Sequence, residues 1–244
     1  MTEKIIGWFS CGNNSAVMCK LLVEYYQHAD LRLIRCIVKN EHSDNDRFHS
    51  DVEKWINHQI EKLSSEKYAD CWEVWEDRKY LAGVKGAPCT TELKKVVRQK
   101  VEREWWPDYQ SFGFSYDESA RADLFARNNP EIKLARILEA HQITKNDCAV
   151  LVKGAGIRLP IMYEQGFKNN NCICCVKAGS PAYWARCRYF YPTEFKRMCE
   201  LSRRLGVRLA KLKGRRIFID EIPIDYEYGQ IDRSKPIKCG IGCG

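Results

Sequence analysis

Apolar positions along the first third of the chain switch between a strand-like run and helical spacing. Lys4 to Ser10 is a short, almost continuous apolar run, as a buried strand requires. Ser15 to Gln27 then carries its apolar residues at helical spacing, and Leu31 to Val38 returns to a strand-like run. A polar turn, Asn40 to Asp46, leads to a predicted helix from about Arg47 to Leu63, where Phe48, Val52, Trp55, Ile56 and Ile60 share one face. Cys71 to Trp75 is read as a third strand. Strands alternating with helices at this spacing predict βαβ units, and therefore an α/β, Rossmann-like, mostly parallel sheet.

The pattern loosens after Gly86. It predicts a basic helix over Thr91–Arg103, a fourth strand over Tyr109–Phe114 and a helix over Asp117–Asn128, with Leu134–His141 less regular. Asp147–Gly154 is helical, and Leu159–Gly166 begins a helix behind Pro160. Lys168–Lys177 is a cysteine-rich loop, followed by helices over Ala182–Arg188 and Pro192–Gly206 and a cysteine-bearing tail after Pro236. This divides the chain into a nucleotide-binding domain, residues 1–166, and a cysteine-rich helical extension with its tail, residues 167–244.

The 244 residues suffice for a core without disulfide help, and no apolar run is long enough for a membrane span or a signal-peptide core, so a cytoplasmic protein is expected. Thirteen cysteines in such a chain point to metal binding or redox chemistry, although Cys19, Cys36 and Cys71 sit in apolar contexts where the thiol serves as a small hydrophobe. The net charge of +8 is uneven, with nine basic residues between Lys196 and Arg216 against the single Glu200. That stretch is either a solvated helix face or a patch for a polyanion, nucleotide or nucleic acid, with no aromatic stacking platform.

Between the first strand and the first helix lies Ser10-Cys11-Gly12-Asn13-Asn14-Ser15. A glycine-containing turn at a helix start gathers free N–H groups and the positive end of a helix dipole, which favours phosphate or sulfate. The hydroxyls of Ser10 and Ser15 are further donors. The alternative is an ordinary strand-to-helix turn, and the loop lacks the lysine ending of a Walker A motif.

This loop resembles the Ser-Gly-Gly-x-Asp-Ser loop of PP-loop ATP pyrophosphatases, and more closely the looser version in phosphoadenosine-phosphosulfate (PAPS) reductases and their phage-borne relatives. Cys11 stands where that loop has glycine, and Asn14 where it has the aspartate that helps hold magnesium. Further segments in family order are Cys89-Thr90-x-x-Leu93-Lys94, Gly113-x-x-x-x-Glu118-x-x-Arg121, and Pro160-x-x-Tyr163-x-x-Gly166-Phe167 followed by Asn171-Cys172-x-x-Cys175. The resemblance implies an adenine nucleotide at residues 10–15, with Lys94 and Arg121 as anion ligands. For Arg121 a salt bridge with Glu118, one helical turn away, is the equal alternative.

Cys172 and Cys175 have the spacing that lets two thiolates converge on one metal. Cys89 and Cys148 are the expected additional ligands, giving a thiolate set suited to a 4Fe-4S cluster, favoured by the resemblance, or to zinc. Buried, idle cysteines are the other possibility, and Cys187 and Cys199 are assigned to packing. In the tail, Lys238-Cys239-Gly240 is similar to the segment carrying the nucleophile of sulfonucleotide reductases, which makes Cys239 the expected attacking thiolate on PAPS. Cys243 allows a resolving pair or further metal ligands instead. Three functions follow: a PAPS reductase-like oxidoreductase using a thiol reductant such as thioredoxin, an iron-sulfur sulfurtransferase acting on nucleic acid, and a non-catalytic nucleotide-binding protein.

Overall fold

The computed structural model describes residues 2–83 and 86–226. Strand β1, Lys4–Trp8, leads through the polar loop into helix α1, Asn13–Tyr25, and then β2, Asp30–Cys36. Helix α2, Asp44–Ile56, carries Asp44 and Asp46 in its first turn and Lys54 in its last, charges that complement the helix dipole. Phe48, Val52 and Ile56 form its buried face. Its end comes earlier than the apolar pattern predicts: Asn57 caps it in a left-handed conformation, φ 50°, and the remaining residues turn into strand β3, Glu61–Leu63.

The expected third strand, Cys71–Trp75, is instead the start of helix α3, Cys71–Arg78. The Asp70 carboxylate accepts from the Glu73 N–H, capping the helix, and Cys71, Trp72, Val74 and Trp75 are all buried, a helical rather than an alternating pattern. Helix α4, Pro88–Thr90, runs through a π turn, Thr91–Lys95, into α5, Val96–Trp105. Then come β4, Tyr109–Phe112, α6, Ser119–Asn128, α7, Ile137–Ala140, α8, Lys145–Gly154, and α9, Ile161–Glu164. The described chain closes with α10, Pro181–Phe190, α11, Pro192–Arg204, and a hairpin of β5, Ala210–Leu212, and β6, Arg215–Ile217, which the sequence pattern did not predict.

The four-stranded sheet has the order β3-β2-β1-β4 with every pair parallel, as the βαβ pattern predicts. Ile5 aligns with Leu31 on one side and Tyr109 on the other. One core joins β1 and β2 to α1, α2 and α8. The largest core draws together Trp72, Trp75, Leu93, Phe167, Trp184 and Met198, so the segment after residue 166 packs on α3 and the α4–α5 helix. No helix among the described residues is long and apolar enough to cross a membrane.

Candidate nucleotide and cysteine site

In an open parallel sheet, ligands bind beyond the carboxyl ends of the strands, where the strand order reverses direction. Here that point lies between β1 and β4. A cleft of about 260 Å³ opens there, lined from β1 by Ser10, Gly12, Asn14 and Ser15 and from β4 by Gly113, Glu118 and Arg121. The two sides nearly touch. A Cβ placed on Gly113 would lie 2.7 Å from the Ser15 nitrogen and 3.0 Å from the Asn14 carbonyl carbon, so only glycine fits against the start of α1.

The loop differs in detail from the reading of the sequence. Gly12 is extended, φ −102°, and the left-handed residue is Cys11, φ 55°. This is the position where the resembling family has glycine, and the unusual backbone explains that preference. Asn170 stabilises the conformation: its Nδ2 donates to the Cys11 carbonyl at 2.7 Å and to Asn45 Oδ1 at 2.6 Å. The side chains of Cys11 and Asn13 are buried and do not line the cleft, so neither is a side-chain ligand. The Cys11 thiol faces the Asn45 carbonyl, and burial pushes its pKa far up.

Some amides expected to face an anion are already engaged. The Ser15 hydroxyl accepts from the N–H of Ser10 and of Gly12, at 3.1 and 3.3 Å, and donates to the Gly12 carbonyl at 2.9 Å. The buried Tyr163 hydroxyl is approached by the N–H groups of Asn13 and Asn170; burial raises its pKa to about 12 despite these two donors. Among the described residues the N–H groups of Cys11, Asn14 and Ser15 have no such partner. At a helix start they are the donors left for an anion.

Lys94 and Arg121 both reach the cleft. Burial is the largest effect and opposes the charge on Lys94, but Glu41, 3.0 Å away with its side chain buried, together with the Cys172 and Cys36 thiols holds the ammonium well above its usual pKa. Arg35 shares the same carboxylate at 3.7 Å. Arg121 makes the salt bridge to Glu118, 2.7 Å, and lines the cleft as well, so the two sequence readings are compatible. Asn14 donates to Glu118 at 3.1 Å, which ties the loop to this pair. Trp8, Phe9, Val38, Phe112 and Phe114 make the apolar part of the lining, suited to a flat base.

The opposite wall carries Cys89, Cys172 and Cys175, as expected, but not Cys148. Cys148 is fully buried in the core of α1 and α8 with Cys11 and Cys19, and burial raises its pKa to about 12. Cys71, assigned to packing from the sequence, is at the wall instead, its thiol beside those of Cys172 and Cys89. Its placement follows from the misread element: at the first position of α3 it faces the cleft. The Asp70–Glu73 spacing is the signal for that helix start.

The thiol of Cys89 is poised as a thiolate, its pKa brought down to about 7. The neighbouring Cys71 thiol is the largest cause, opposed by burial and aided by the charges of Lys177 and Lys94. Among the described residues no three His, Cys, Asp or Glu side chains are grouped as a single metal ion requires. An all-thiol set flanked by lysines suits a thiolate-held iron-sulfur cluster. Cys239 and Cys243 lie outside the described residues.

No family model matches the chain. No curated protein matches it either. Among solved structures the chain is similar to the U34-tRNA thiolase NcsA from Methanococcus maripaludis with its 4Fe-4S cluster, at 15% identity over 84% of this chain and 74% of that one, with a TM-score of 0.49.

Proposed function

We propose that the protein is an enzyme that binds an adenine nucleotide in the cleft and transfers sulfur, supplied as sulfide to a cluster that the thiolates on the facing wall would hold, to an acceptor carbon whose oxygen leaves with the nucleotide phosphate. One observation carries this reading: Ser10, Gly12, Asn14 and Ser15 of the loop, Lys94, Arg121 and four cysteines line a single cleft. The free amides at the start of α1 receive a phosphate, Lys94 and Arg121 balance its charge, and the apolar lining holds the base. Cys71, Cys89, Cys172 and Cys175 would hold a 4Fe-4S cluster, which supplies a site for sulfur or electrons when bound.

The second reading is a PAPS reductase with Cys239 as nucleophile and a thioredoxin-type reductant. The first is preferred because its thiols are folded into the wall of the cleft. Anaerobic purification with iron and sulfide analysis tests the thiol set. Cys71→Ala, Cys89→Ala and Cys172→Ala should each lose iron, whereas Cys148→Ala should retain it at the cost of stability. Iron retained in all the cleft variants would refute the assignment. Titration calorimetry with ATP and with PAPS tests the nucleotide, and a sulfonate adduct on Cys239 after mixing with PAPS would favour the reductase.

A further inference from the structure

The basic stretch between Lys196 and Arg216 divides in two once folded. On α11 and just after it all the cations except the exposed Lys196 are occupied. Arg203 pairs with Asp220 and Glu221, Arg204 with Glu76, Arg197 lies over the Trp72 ring and Arg208 over Phe218. On the hairpin none is paired with a carboxylate among the described residues. Lys211, Lys213, Arg215 and Arg216 are exposed, and Arg216 donates only to the Leu209 carbonyl, at 3.3 Å.

The hairpin's geometry makes this accumulation costly. Lys211 stands directly opposite Arg216, and like charges across a strand pair repel. The turn is fixed by two left-handed residues, Lys213 at φ 45° and Gly214 at φ 82°, the combination that matches hairpin twist. Buried Leu209 and Ala210 anchor its base in the main core. The cations are therefore held together on one support with no carboxylate partner among the described residues, an arrangement suited to an external polyanion. No large exposed hydrophobic residue lies on the hairpin, so it lacks the apolar anchor of a membrane-binding or protein-binding surface.

The hairpin also adjoins the cleft. The Lys211 N–H donates to the Gly179 carbonyl at 2.9 Å, and Val176 and Lys177 line the cleft beside Cys175. Two residues of chain reach about 7 Å at most, so the root of the hairpin is within about 10 Å of the Lys177 backbone.

We propose that the β5–β6 hairpin binds the phosphate backbone of a nucleic acid and presents that strand to the cleft as the sulfur acceptor. Presentation rests on the sulfur-transfer reading; binding at the hairpin does not. With cations and no stacking rings, the hairpin grips phosphates and leaves base recognition to other surfaces.

The test uses the full chain and fluorescence anisotropy with a stem-loop RNA, a single-stranded RNA and a DNA of the same sequence across a salt series. The hairpin variant Lys211→Glu/Lys213→Glu/Arg215→Glu is compared with a variant of equal charge change on exposed residues elsewhere, Arg103→Glu/Arg127→Glu/Lys153→Glu. The hairpin variant should bind at least about tenfold more weakly at low salt, with the log–log salt slope reduced by roughly two to three, while the control changes less than about threefold. Equal loss in both variants, no loss in the hairpin variant, or loss only of binding to anionic phospholipid vesicles would overturn the proposal. The RNA and DNA arms identify the kind of strand. ATP calorimetry on the hairpin variant should match the wild type, which verifies its fold; failure of the wild type to bind ATP would count against the cleft reading alone.

Discussion

Asn170 holds the residue 10–15 loop, and on the proposed function its removal should be felt in both stability and nucleotide affinity. Asn170→Ala deletes two short hydrogen bonds and leaves the Cys11 carbonyl and Asn45 Oδ1 buried without that donor. Each such loss costs about 1–3 kcal/mol. The variant also removes the Asn170 Oδ1, a buried acceptor that has no hydrogen-bond partner, and this offsets part of the cost. The net expectation is about 2–3 kcal/mol of destabilisation. Because the left-handed backbone at Cys11 is itself unfavourable by about 1–2 kcal/mol, the loop should relax once its clamp is gone, moving the free amides at the start of α1. Urea unfolding followed by tryptophan fluorescence reads the first effect and ATP calorimetry the second. Adding Cys11→Gly should restore part of the affinity, since glycine accepts the left-handed conformation without the clamp. Stability within about 0.5 kcal/mol of wild type, a value ordinary for a surface substitution, would refute the role assigned to Asn170.

Gly113→Ala should weaken nucleotide binding and destabilise the fold by about 1–3 kcal/mol, because the added methyl meets the backbone at Asn14–Ser15; unchanged ATP binding would contradict the close approach. Asp44 is held near a pKa of about 2, chiefly by its hydrogen bonds from Arg47, with further help from the Ile161 N–H against the opposing effect of burial. Its folded pKa is depressed, so its contribution of about 2 kcal/mol is present above the ordinary carboxylate range and disappears as pH falls through about 2. Asp44→Asn should therefore lower stability near neutrality and flatten the acid limb of the unfolding curve. An acid limb identical to wild type would show that Asp44 is not a source of it.

The parallel sheet and the loop at the first strand-helix junction were legible in the sequence because each depends on local pattern, whereas the placing of Lys94 and Arg121 at one cleft was expected only from the family resemblance. The thiol set was legible only in part. Cys148 and Cys71 both lie in apolar surroundings, and which of them reaches the cleft is decided by tertiary packing: α8 buries Cys148 against α1, while α3 turns Cys71 outward. Reading Cys71–Trp75 as a strand hid this, since period and propensity are ambiguous over five residues and the Asp70 cap was overlooked. The hairpin was missed for a related reason. Its strands are three residues each and mostly charged, so no alternating apolar pattern marks them.

The π turn at Thr91–Lys95 has a mechanical consequence for the cleft. In a regular α-helix neighbours along one face are i and i+4, but a wider turn brings i and i+5 into line. Cys89 and Lys94 have that separation, and both reach the cleft from one continuous segment. Excising a single residue from this turn would restore the ordinary winding and swing the ammonium away from the thiol, while the apolar side of α5 could stay seated on its neighbours. The widened turn thus acts as a spacer that sets the angle between the cation and the sulfur, independently of the packing that holds the helix.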